Sequence, residues 1–126
     1  MKNSDLNNNM AAADHSLHEV CRANLLPVGD ALYAIGGKWK LRIIIALSSG
    51  HTRFNDLQRS LEGISAKTLS NDLRDLEQNG FVIRNVDNAV PVVVSYVLTE
   101  YSYTLQNVIH ALAEWGTMHR QKIKQG

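Results

Sequence analysis

The residues best suited to chemistry in this chain are Lys67, Asn71, Arg74 and Gln78, spaced four, three and four apart. At about 100° per residue that spacing gathers all four on one face of a helix. Lys, Arg, Asn and Gln are the side chains that pair with guanine and adenine edges in a major groove. Thr68 lies on the edge of the same face, and the acids Asp72, Asp75 and Glu77 fall on its flanks. A merely solvated face mixes charge signs at its centre; this one does not. The competing reading, an ordinary polar face, needs nothing beyond exposure. No Ser/His/Asp or Cys/His/Asp set, Gly-rich phosphate loop or zinc-finger spacing accompanies these residues, so an enzyme is not expected.

A face of this kind needs a body to anchor its other side. Leu69, Leu73 and Leu76 supply the apolar stripe opposite, and Asn79-Gly80 stops the helix. Ser65 offers its hydroxyl to the free N–H groups at the start. Just before it, Phe54, Leu57, Leu61 and Ile64 recur at helical period, and Gly63 supplies the left-handed residue that ends that stretch. Two helices around a glycine-containing turn make a helix-turn-helix, here at about 52–80. Arg53, Arg59, Arg84 and Ser65 are placed to hold phosphates around it.

The flanking elements follow from the same patterns. Two β-prone runs, Phe81–Val86 and Val92–Leu98, surround an Asp87-Asn88 turn and read as a hairpin, a wing at about 81–98. Thr99 caps a last helix, about 99–124, whose stripe is Leu105, Val108, Ile109, Leu112 and Trp115, extended by Ile123. On the N-terminal side Leu17, Val20 and Cys21 share a face, Pro27 suits a first helical position, and Gly36-Gly37 breaks the helix that Val28, Leu32 and Ile35 define. Trp39 shares a helix face with Ile43 and Leu47 and reads as core. The fold expected is mainly α with a small β-hairpin: a winged helix-turn-helix. The stripe on the last helix is either self-covered or paired with a second chain, in which case Leu105, Val108, Ile109, Leu112 and Trp115 form the interface.

Bulk properties bound the rest. A chain of 126 residues supports one domain, expected at 15–126 behind a polar, Asn-rich, disordered tail at 1–14. The tail has no apolar core of a secretory signal, and the run Ile43–Leu47 is too short to span a bilayer. A single cysteine excludes an intrachain disulfide and fits a reducing compartment, hence the cytoplasm. His15, His18 and Cys21, three apart, could share a helix face around a metal, a weak signal in a frayed segment; neither metal nor cofactor is expected. The net charge is only +1, and between residues 51 and 84 five basic residues meet five acidic ones. Affinity for nucleic acid must come from the placement of charge, not its sum.

Taken together, the residues from Cys21 to about Trp115 resemble the HxlR-type family of winged-helix bacterial transcriptional regulators. The resemblance is carried by Ala31-Leu32, Ile35-Gly36-Gly37-Lys38-Trp39, Arg53-Phe54, Leu57, Gly63-Ile64-Ser65, Leu69, Leu73-Arg74, Leu76-Glu77, Gly80, Tyr96 and Leu98-Thr99, in register. It implies a homodimer, joined by N- and C-terminal dimerisation helices with Leu17 on the N-terminal one, that reads a two-fold operator in double-stranded DNA with the helix 65–78 in the major groove. It also implies that Cys21 stands where some relatives sense electrophiles or oxidants. The alternative for that thiol is a small buried residue at the dimer contact. The sequence departs from the family pattern twice: Val92-Val93-Val94-Ser95 lacks the usual basic wing residue, and Ser102 replaces a glycine. An apolar wing and a neutral chain leave one rival function, a winged-helix module for protein–protein contact without DNA binding.

Overall fold

The computed structural model describes residues 16–20 and 22–125. The tail expected at 1–14, the potential ligand His15 and the thiol Cys21 lie outside the described residues. The chain forms two compact units, one ending at Tyr33 and the other beginning at Ala34, where one domain is expected from residue 15 onward.

In the first unit, residues 16–20 are helical and Leu17 is exposed. Helix α1 (Leu25–Ile35) begins two residues ahead of Pro27. The proline therefore sits inside the first turn, where N–H groups have no intrahelical acceptor and its missing donor costs nothing. The last two residues of α1 belong to the second unit, where Ile35 is buried.

The second unit continues with α2 (Lys40–Ser48), α3 (Phe54–Ser60) and α4 (Ala66–Gln78). Strands β1 (Val82–Asp87) and β2 (Val93–Leu98) follow, then a 3-10 helix (Glu100–Leu105) and α5 (Gln106–Gln125). This is a winged helix-turn-helix. Helix α2 forms despite three consecutive isoleucines because burial of Ile43 and Ile44 outweighs their strand preference. Trp39 caps α2 and packs, half-buried, against the core that Ile43, Leu57, Leu69, Leu73 and Leu76 share.

The turn between α3 and α4 is built differently from the expected stripe. Helix α3 ends at Ser60, yet Leu61 and Ile64 are buried from within the turn. Gly63 makes this possible with φ of +93°, a conformation costly for any residue with a Cβ. A side chain there would also meet the Trp39 indole, whose Cη2 lies 3.9 Å from the added carbon. The Ser65 hydroxyl accepts the Thr68 N–H at 3.1 Å and starts α4, and Asn79-Gly80 ends it.

The hairpin register runs from Val82 opposite Leu98 to Asp87 opposite Val93. Asp87 is therefore a ladder residue, and the connection is residues 88–92 instead of the two-residue turn expected at Asp87-Asn88. Pro91, after a cis peptide bond, has no N–H to donate, so the ladder closes short of it. The Asp87 carboxylate shapes the loop by accepting the Ala89 N–H at 3.0 Å. Backbone bonding from the Tyr96 N–H to the Thr52 carbonyl (2.8 Å) moors the wing to the entry of α3. Stacking of Phe81 on Tyr101, centroids 5.2 Å apart, moors it to the 3-10 helix.

Thr99 caps that 3-10 helix, not the final α-helix. Ser102, standing where the family pattern has glycine, is buried there and donates its hydroxyl to the Thr99 carbonyl at 2.6 Å. Leu105 then plugs the core of its own unit at 7% exposure, which removes it from the expected dimer contact. Ile109 is half-buried against the same core. Beyond it α5 runs on with no buried residue.

Candidate nucleic-acid interface

Helix α4 has 13 residues, about 20 Å of axis at 1.5 Å per residue. Its three leucines are sunk in the core, so the opposite face must point outward. Lys67, Asn71, Arg74 and Gln78 are all exposed on it. None of their side chains joins a hydrogen bond or ion pair among the described residues, which leaves every donor free. The structure thus brings these four expected residues together. Thr68 is set apart: it is half-buried and its hydroxyl accepts a bond from Ser65 at 3.0 Å. Both Ser65 and Thr68 are therefore occupied in starting the helix.

The expected phosphate holders stand on α3 and on the wing. Arg53 stands at the N-cap of α3, and Arg84 lies exposed on β1 opposite Tyr96. Arg59 is ion-paired with Asp56 within α3. Arg53 and Arg59 line a cleft of about 410 Å³ together with Val92 and Val93 of the wing. That proximity bears on the missing basic wing residue. Cations from α3 stand beside the apolar strand entry, a juxtaposition no sequence spacing reveals.

Two of the acids flanking α4, Asp75 and Asp72, meet a cation that sequence reasoning missed. Lys40, at the start of α2, places its ammonium 3.3 Å from the Asp75 carboxylate. Burial pushes the neighbouring Asp72 carboxyl above the usual carboxylate range; Lys40 pulls it back in part and Asp75 adds to the rise. Nothing in the local pattern signals this, because the partners belong to different helices. The other cations beside Lys40 are used elsewhere: Lys38 and Arg42 lie over the Trp39 ring, 5.0 and 4.4 Å from its centroid. Trp39 is thereby covered, consistent with a role in the core.

The model of HxlR-like helix-turn-helix proteins matches residues 34–124, from the end of α1 to the end of α5. The chain belongs to this family. Among its relatives, the chain is 38% identical over 98 residues to the Bacillus subtilis uncharacterized HTH-type transcriptional regulator YtcD, covering 78% of each. Of solved structures, the redox regulator HypR in its reduced form superposes with a TM-score of 0.72 at 37% identity, covering 79% of this chain and 99% of that one. The reduced form of the B. subtilis transcriptional regulator YodB gives a TM-score of 0.62 at 37% identity, covering 69% and 85%. Membership makes this chain a helix-turn-helix transcriptional regulator, and its relatives are regulators, not enzymes. No helix among the described residues is long and apolar enough to cross a membrane.

Proposed function

We propose that the protein is a cytoplasmic homodimer that binds a two-fold operator in double-stranded DNA, with α4 of each subunit in the major groove. The observation that carries this reading is the undisturbed face of Lys67, Asn71, Arg74 and Gln78. Hydrogen-bonding side chains left unoccupied in the free protein can pair with base edges without first breaking internal bonds. Arg53, Arg59 and Arg84 contact phosphates on either side, Arg59 exchanging its intrahelical carboxylate for the backbone. Selection of bound duplexes from random DNA at controlled salt tests the proposal. The expected product is an inverted repeat whose half-sites are centred about one helical turn apart. Its affinity should fall steeply as salt rises, because several phosphate contacts release counterions. Recovery of no sequence, or binding indifferent to salt, would favour a protein–protein module.

The dimer is proposed to form through α5. Val108, Leu112 and Trp115 lie on one side of this helix, with Leu112 at 52% and Trp115 at 58% exposure. Trp115 is further stiffened by stacking on His119 at 4.8 Å. A row of large apolar side chains left uncovered is the usual mark of an association surface. Trp115→Ala is expected to convert the dimer to monomer in light scattering at micromolar protein. An unchanged mass would place the interface elsewhere.

Responsiveness to an oxidant or electrophile through Cys21 completes the proposal, supported by the likeness to the redox regulator HypR. As the chain's single cysteine, it must react across two chains or with an outside thiol. With diamide, the two thiols of a dimer would each lose a proton and an electron to the reagent and form one intersubunit disulfide. A dimer band on non-reducing gels, absent in Cys21→Ser, is expected. A Cys21→Ser protein that still released DNA on oxidation would remove Cys21 from this role.

A further inference from the structure

The acidic flank of α4 lies beside the face proposed to meet DNA, and this inference rests on that reading. Asp72 and Asp75 are one turn apart on the side of α4 turned toward α2. Phosphates approaching the groove-reading face would pass within a screening length of both, since that length is about 8–10 Å at ordinary ionic strength. Left alone, two like charges there would oppose the cations Lys67 and Arg74. The fold supplies a counter-charge in Lys40, only 14% exposed at its side chain and 3.3 Å from Asp75.

We infer that Lys40 is a positioning residue for DNA binding: its ion pair with Asp75 masks the acidic flank of α4 and ties that helix to the start of α2. Three features place it there. The Gly36-Gly37 break and the turn through Trp39 set the first residue of α2 against α4, and the Ile43 N–H bonds the Trp39 carbonyl at 2.8 Å to begin the helix. Lys38 and Arg42, the adjacent cations, are held over the Trp39 ring and so leave the carboxylates to Lys40. A lysine so little exposed has surrendered most of its hydration and depends on a carboxylate for compensation. Lys40 itself touches no base; it acts through the charge and seating of the helix that does.

The test uses the full chain and the duplex that the wild-type protein selects from random DNA. Lys40→Met keeps the aliphatic stem and removes the charge. Its affinity at about 50 mM salt should fall roughly fivefold, and the deficit should shrink toward parity near 250 mM as screening tightens. Lys40→Arg should restore wild-type binding, and Lys40→Met combined with Asp72→Asn and Asp75→Asn should recover it as well. Asp72→Asn alone, which leaves the ion pair intact, should tighten binding severalfold at low salt; it also decides the matter if Lys40→Met does not fold. A Lys40→Met deficit that is absent, that persists undiminished at high salt, or that removal of the acids fails to repair overturns the masking role, as does weaker binding by Asp72→Asn. These failures occur with a wild-type protein that binds its duplex. A wild-type chain that selects no duplex overturns the DNA reading itself, and the role of Lys40 with it.

Discussion

Arg74→Ala is expected to lower affinity for the selected operator by about 1–3 kcal/mol, the worth of one good bidentate contact to a base pair. Arg74 stands near the middle of α4, exposed, with its guanidinium free of any ion pair among the described residues. Its removal therefore takes nothing from the fold, and the thermal midpoint should match the wild type. The loss should also be selective. On a scrambled duplex of the same length the variant should fall much less, so discrimination narrows together with affinity. Arg84, on the exposed wing strand, is the natural contrast. A phosphate contact carries no sequence information, and its loss should weaken all duplexes alike and flatten the salt dependence by about one counterion. Fluorescence anisotropy titrations of both variants on both duplexes separate the two outcomes. Equal loss on both duplexes for Arg74→Ala would make it a backbone contact and empty the groove-reading face of its centre.

Leu73→Ala, one residue away, should do the opposite: destabilise the fold while leaving specificity untouched. Leu73 is 2% exposed and belongs to the cluster that joins α2, α3 and α4. Removing three buried carbons from such a site costs about 2–5 kcal/mol, transfer and cavity terms together. Against a total stability of about 5–15 kcal/mol for an ordinary domain, that is a large share. The thermal midpoint should drop on the order of 10 °C. Urea denaturation at fixed protomer concentration measures the loss directly and keeps any contribution from dimerisation constant. A midpoint unmoved by Leu73→Ala would mean that α4 is not seated on these leucines, and the outward direction of the polar face would lose its cause.

The contrast between neighbours explains how much was legible without coordinates. Periodicity is a local property: Leu69, Leu73 and Leu76 recur at helical spacing, and whatever faces away from them is decided by the same geometry. Cap chemistry is local too, so Ser65 and the positive-φ glycines at 63 and 80 could be assigned from residue type and neighbours alone. Residue pattern went astray where one signal had two physical solutions. Leu61 and Ile64 have the spacing of a continuing helix, but the turn buries them just as well. Thr99 has the form of a cap and is one, though for a 3-10 helix that Ser102 holds tight. Leu105 lies in the same stripe as Leu112 and Trp115, and only the direction in which α5 leaves the core separates a buried plug from an exposed row.

Residue pattern alone is enough for the order of the main helices and the hairpin and for the leucine-backed polar face, because each rests on neighbours in the chain, and for the family, because its short motifs follow one another in register. Packing in three dimensions was needed to see that Lys40 meets Asp75, that Arg53 and Arg59 stand beside Val92 and Val93 of the wing, and that Leu105 closes the core. Those contacts join residues distant in sequence, and their existence depends on the angles at which packed helices cross. Side-chain shape and burial set those angles for the whole assembly at once, and no single stretch of residues encodes them.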